Sequence, residues 1–420
     1  MEHNPTLAHS ALRPYPYPYR AILALSSDLD DTPNASHYFE LIRFFNTQEQ
    51  TIFGKGVGLE FAQSIFFSDS PDIFSYWNAD EKARTSILAL IESGHIDTLH
   101  SYGSAIRLRA DVQRSISQLQ RVTSSLPVWV DHAIAPTNFG RYQMRGFGDI
   151  RDSPSYHADL SIAYGIDYCW MGQITSVIGQ NVSITPRALF HDGPSSIGSL
   201  VRSAKEICKV TIPLAWSERY ALHRANRILS PVKLRDGSPI FEFLRCNPSP
   251  RGIVHGDSAD CLAENISINN VNALVKRQGI MILYTHLGRR FPVVDTPEYC
   301  ALRDALEFAR DLNLRGSLLV MSTSRTLDYL AVVDGISIEL VRNASEDQIV
   351  LQFNRSNRSL ARAWLRRAGE GITIYCDSVR PCVVVLPNGS SIRPKRNPPD
   401  ETGKCSVTIP LKPLAQPPFG

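Results

Sequence analysis

The chain has 420 residues, 43% hydrophobic and 20% charged, with a net charge of +3 and eight cysteines. That balance suits a globular protein with a large core and room for two domains, and it excludes a disordered or collagen-like chain. The basic residues are spread out except in the tail, so nucleic acid is not expected as a partner.

The cysteines form no CxxC pair and no zinc-finger spacing, and they read as reduced thiols. The opening stretch MEHNPTLAHSALRPYPYPYR has no apolar signal core. No window nears the roughly 18 apolar residues of a membrane helix, so a cytoplasmic protein without a membrane partner is expected. Residues 1–18 form a Pro/Tyr-rich segment expected to lie extended.

Next comes AILALSSDLDDT, Ala21 to Thr32, an apolar run that predicts a buried strand and ends in Asp28, Asp30 and Asp31. Asn34 or Ser36 can cap a helix through HYFELIRFF. GVGLEFAQSIFFS reads as a second strand and ADEKARTSILALIESG as an amphipathic helix stopped at Gly94. The third strand, IDTLHSYG, carries His100 near its end, and DVQRSISQLQRVTSS is the next helix. LPVWVDHAIAPTNFG predicts a fourth strand ending in Asp131 and His132, and IDYCWMG a fifth ending in Trp170. Residues 175–235 read as an insertion over the mouth of the fold, with His191 and Asp192 as outer contributors. PIFEFLRC, ending in Arg245, is the sixth strand, and GIMILYTHLG, ending in His286, is the seventh. TPEYCALRDALEFARDLN is a final helix before a last strand, GSLLVMS.

Strand–helix alternation over 19–328 predicts an α/β fold, a distorted (β/α)7 TIM-like barrel. From 329 to 420 the short alternating runs SIELV, QIVLQFN, GITIYC, PCVVVLPNGS and CSVTIPLK predict a small C-terminal all-β sandwich, with LARAWLRRA as the one helix-like piece. In a closed barrel the C-terminal strand ends form one rim, so Asp28, Asp30, His100, His132, Trp170, Arg245 and His286 would converge on one pocket.

Asp28 and Asp30 lie two apart and are expected to face the same side, one as metal ligand and the other as base, with Asp31 capping the following helix. His100, on a face expected to hold Ile96, Thr98 and His100, suits a ligand or an acid/base group. His132 is the third candidate ligand, with Asp131 beside it to orient it. His286 is placed to donate a proton to a leaving group. Trp170 and Tyr102 could stack on sugar faces, Arg245 could bind a carboxylate or close an ion pair, and Asn138 is a further substrate contact. His95 is expected in a loop below the third strand, and His157 is an outer contributor.

These residues resemble the motifs of the NodB-type polysaccharide deacetylases, carbohydrate esterase family 4, within the glycoside hydrolase/deacetylase barrel superfamily. SSDLDD is similar to the family's first motif, which implies Asp28 as general base and Asp30 as metal ligand. GHIDTLH, Gly94 to His100, resembles the second motif and aligns His100 with the first of two metal histidines spaced four apart. IMILYTH resembles the last motif, which implies His286 as general acid. The second metal histidine falls at Ser104, a poor ligand for zinc-like ions, which leaves His132 or a water to complete the coordination, or the site without its metal.

The resemblance covers about residues 19–325 and implies a hydrolase using one divalent ion, zinc first, to remove acetyl groups from an amino sugar in a polysaccharide, such as an exopolysaccharide, or a glycoconjugate. Two rivals stand beside it. One is a glycoside hydrolase pairing Asp28 or Asp30 with Asp131 or Asp192, and the other is a non-catalytic carbohydrate-binding protein. The expected partner is a carbohydrate, and the sequence does not determine the oligomeric state.

Overall fold

The structure, a computed structural model, describes residues 12–419 except 71–72, 103–107, 143, 185–203, 205–206, 209–220, 343–345, 355–357 and 377–379. It divides into two compact units, Ala21–Ser324 with Leu414–Gly420, and Met1–Arg20 with Arg325–Pro413.

The first unit is mixed α/β around an 11-stranded, mostly parallel sheet. Its strands are β1 (Ala21–Ser27), β2 (Gln63–Ile65), β3 (Ile96–Leu99), β4 (Val128–Val130), β5 (Tyr168–Trp170), β6 (Ile174–Thr175), β7 (Leu229–Lys233), β8 (Pro239–Phe243), β9 (Arg245–Cys246), β10 (Ile280–Thr285) and β11 (Leu318–Val320). β1 is buried along its whole length, as an apolar run covered on both faces should be. It pairs in parallel with β10, β11 and β2. From β2 the parallel path runs through β3, β4 and β5 to β8. β7, at the end of the expected insertion, pairs antiparallel with β8, the expected sixth strand, while β6 and β10 flank β9 in parallel. β8 and β9 are separated only by Leu244, yet one lies beside β5 and the other beside β10.

Helices α1 (Ala35–Asn46), α2 (Glu81–Glu92), α3 (Arg109–Leu119), α4 (Ala158–Tyr164), α5 (Ile268–Arg277) and α6 (Pro297–Leu314) lie between the strands in sequence. Their apolar faces pack on one side of the sheet. Leu23 and Leu25 of β1 join Leu41 and Phe44 of α1 and Leu302 and Leu306 of α6 in one core cluster. Strand alternation therefore sends Ala24, Ser26 and Asp28 to the opposite side.

The cap of α1 is Asn34, whose side chain accepts from the His37 N–H at 3.0 Å. Asp31 instead takes a left-handed backbone (φ 62°) and pairs with Arg289, which corrects its expected capping role. The β2–β3 register shifts between Gln63 and Ser64, whose partners are Ile96 and Thr98. With Asp97 as the extra residue, Ile96 packs with Leu99 in the helix-side core, and the expected face of Ile96, Thr98 and His100 is broken.

The second unit contains α7 (Thr323–Gly335) from Arg325 onward, a helix absent from the sequence reading, and α8 (Arg358–Arg367). Its strands are β12 (Ile336–Arg342), β13 (Asp347–Phe353), β14 (Thr373–Tyr375), β15 (Cys382–Val385), β16 (Ser391–Ile392), β17 (Lys395–Asn397) and β18 (Ser406–Thr408). They form a 4-stranded sheet in the order β12-β13-β15-β16 and a 3-stranded sheet in the order β14-β18-β17. Leu12 bridges to Ile374, and Arg13 pairs with Asp400 at 3.0 Å, so the described part of the Pro/Tyr-rich segment is tied into this unit. Among the described residues, no helix is long and apolar enough to cross a membrane.

Candidate metal centre

Just beyond β1 the chain places two acids against groups carried by other strand ends. Asp28 is the next residue in strand alternation on the side away from the helices, and its N–H donates to the Thr285 carbonyl of β10 at 2.9 Å. Its carboxylate receives Arg245 Nη1 at 2.9 Å on both oxygens. Arg245 is fully buried and Asp28 is 3% exposed, so the pair is shielded from water. The guanidinium lies 4.3 Å from the Trp170 ring and 5.2 Å from the Tyr284 ring. Burial acts to raise the Asp28 carboxyl, but Arg245, with His100 and His286, outweighs it and holds the group below its ordinary value.

Asp30 lies at the centre of three histidines. His100 Nε2 is 3.0 Å from Oδ2, His132 Nδ1 is 3.2 Å from Oδ1, and His286 Nε2 is 3.4 Å from Oδ2. These imidazoles follow β3, β4 and β10, strands remote in sequence whose ends are brought together by the sheet. Phe66, just after β2, fixes two of the rings, stacked on His100 at 4.5 Å and edge-on to His132 at 4.9 Å. Burial opposes charge on Asp30, yet His100, His286 and His132 together keep it well below the carboxylate range. Burial, reinforced by His100, lowers His132 and favours the neutral imidazole that a metal requires.

His286 has the opposite bias. Burial acts to lower it, but Asp257, Asp30 and Asp28 push it up to about 9. Asp257 Oδ2 lies 3.3 Å from His286 Nδ1, and Arg289 Nη1 lies 3.5 Å from Asp257 Oδ1. Asp257 was missed in the sequence because it follows a short helix, Ile253–Gly256, rather than an apolar run. A β-bridge from Ser258 to His286 brings it to the centre.

Asp30, His100 and His132 offer ligand atoms all within 4.8 Å of one another, and so do Asp28, Asp30 and His286. Two imidazoles and a carboxylate form a donor set suited to zinc or a similar divalent ion. The Asp30–histidine separations of 3.0 and 3.2 Å approach the ~3.4 Å edge of a tetrahedron with bonds of about 2.1 Å. His100 Nδ1 is buried without a hydrogen-bond partner, so the usual outer support of a ligand histidine is missing on that ring.

The remaining candidates are engaged within the protein. Tyr102 is fully buried, its hydroxyl 3.0 Å from Ser161 Oγ and its ring packed on Trp129 and His157 in the helix-side core, so it has no open face for a sugar. Trp170 is 3% exposed, donates to the Gln173 carbonyl at 2.7 Å and is covered by Arg245. Asn138 ties down the loop after β4, accepting from the His132 N–H at 3.1 Å and donating to the His132 and Ala133 carbonyls. Arg245 spends Nη1 on Asp28, closing the ion pair that was the other expectation, while its Nε and Nη2 are buried without a hydrogen-bond partner.

Asp131 is buried and accepts from Trp129 Nε1 and the N–H groups of Phe139 and Gly140. His157 is spent on the Thr137 carbonyl and Ser161, and His95 on Ser93. Ser104, His191 and Asp192 lie outside the described residues, as does most of 185–220.

Fold and site together define an α/β protein with a buried carboxylate–histidine centre at the C-terminal ends of parallel strands. No family model, curated protein or solved structure matches the chain.

Proposed function

We propose that the chain is a divergent member of the NodB-like deacetylases, a metal-dependent hydrolase that removes acetyl groups from an amino sugar in a polysaccharide or glycoconjugate. The observation that carries this reading is the single carboxylate of Asp30 within 3.4 Å of three histidines from three strands, beside the Arg245-clamped Asp28. The fold reading belongs with it. Taking β8 and β9 as one strand interrupted at Leu244 closes β10, β1, β2, β3, β4, β5 and β8/β9 into a (β/α)7 barrel.

In this reading Asp30, His100 and His132 hold one divalent ion of the zinc type, His132 taking the place of the histidine missing at Ser104. When bound, the ion polarises the acetyl carbonyl and acidifies the attacking water. That help is needed, because Asp28 is held ionised by Arg245 and is a weak base on its own. Asp28 takes the proton of the water, and His286, kept protonated by Asp257, delivers a proton to the amine as the amide C–N bond breaks. A glycosidase using Asp131 as second acid is disfavoured, since three N–H donors already occupy that carboxylate.

The test is elemental analysis of the purified protein. About one divalent ion per chain is expected, lost in Asp30→Ala and His100→Ala, with acetate released from acetylated oligosaccharides only by the loaded wild type. No bound metal after reconstitution refutes the mechanism.

A further inference from the structure

On the other face of β8 the chain builds a cavity with both apolar and charged walls. Glu242 is in register with Cys169, between Tyr168 and Trp170, whereas Phe243 lies 5.8 Å from Arg245 on the side of the metal centre. Alternation therefore carries the Glu242 side chain off the sheet on the face away from Trp170 and Asp28. There a cavity of about 430 Å³ is lined by Phe139, Arg141, Met171, Lys233 and Glu242 among others, a volume within the usual range for small-molecule sites.

The charges of its wall are left open. Asp149, also in the wall, is satisfied by Arg235, whose N–H and Nε donate at 2.7 and 2.8 Å. Arg141 reaches only the Lys233 carbonyl, at 3.4 Å. Among the described residues no carboxylate lies in ion-pair range of Arg141 or Lys233, and Arg141 acts on the Glu242 carboxyl only as a nearby charge. Burial, with the charge of Asp131, pushes Glu242 up to about 7, so it can donate as well as accept. Two cations outside any close ion pair, one acid and an aromatic ring around a single cavity form a set of groups complementary to a ligand.

We propose that this cavity is a second ligand site, selective for a small hydroxylated organic anion whose carboxylate or phosphate lies between Arg141 and Lys233 and whose hydroxyl meets Glu242. The site uses no residue of the metal centre and does not depend on the hydrolase reading.

Isothermal titration of the full chain with glucuronate, glucose 6-phosphate and neutral glucose tests it. At least one of the two charged sugars binds saturably and at least tenfold more tightly than glucose. The double variant Arg141→Ala/Lys233→Ala loses at least tenfold of that affinity, and Asp30→Ala retains it. Arg141 and Lys233 are exposed, and circular dichroism checks that the variant is folded. The proposal falls if neither charged sugar outbinds glucose, if the double variant binds as the wild type does, or if Asp30→Ala abolishes binding, since the anion would then be in the metal centre.

Discussion

Arg245→Met removes the guanidinium from the centre while keeping most of the buried stem. Asp28 would lose hydrogen bonds of 2.9 Å to both oxygens at a site only 3% exposed, leaving a buried carboxylate facing His100 and His286. Removing one partner of a buried pair costs about 3–5 kcal/mol, and the lost stacking on Trp170 at 4.3 Å is worth about 0.5–2 kcal/mol more. Partial filling by the Met side chain offsets some of this, so a net loss of about 3–5 kcal/mol is expected. Asp28→Asn alone strands the Arg245 charge, whereas Asp28→Asn with Arg245→Met leaves two neutral groups. Urea unfolding followed by circular dichroism should then show a favourable coupling of about 2 kcal/mol or more in the double-mutant cycle. A single-variant loss below about 1 kcal/mol, or a double variant as unstable as the two singles combined, would refute the view that this pair organises the centre.

Phe66→Ala removes a fully buried ring that touches both His100 and His132. It should cost about 3–5 kcal/mol of stability and weaken zinc binding in a competition titration with a chromophoric chelator. Asp257→Asn keeps the shape beside His286 but removes the charge, and should lower kcat for acetate release about 10- to 100-fold with little change in KM; an unchanged kcat would remove Asp257 from the mechanism. The Glu242 carboxyl is raised from 4.5 to about 7 by burial and Asp131, so its stabilising contribution is full below its unfolded value and lost as pH rises through about 7. The shift corresponds to about 3 kcal/mol, reduced to about 1–2 kcal/mol by the partial solvent access of the side chain. Glu242→Gln should therefore be more stable than wild type by that amount at pH 8.5 and about equal to it at pH 4, below the unfolded value, in thermal unfolding, and equal stability at both would refute the buried placement.

The sequence by itself determined what is local. An apolar run ending in carboxylates marks β1, and the strand tips of β3, β4 and β10 mark His100, His132 and His286, because strand burial and turn chemistry act over a few neighbouring residues. Tertiary structure decided everything that depends on a distant partner. Arg245 meets Asp28 across 217 positions, Asp257 reaches His286 through a bridge between a loop and a strand end, and the strand break at Leu244 gives β8 and β9 different neighbours. Tyr102 and Trp170 read as sugar platforms because an aromatic at a strand end has the same local signature whether its face is open or covered. Their burial against Trp129 and Arg245 is set by packing between elements, which periodicity along one strand does not encode.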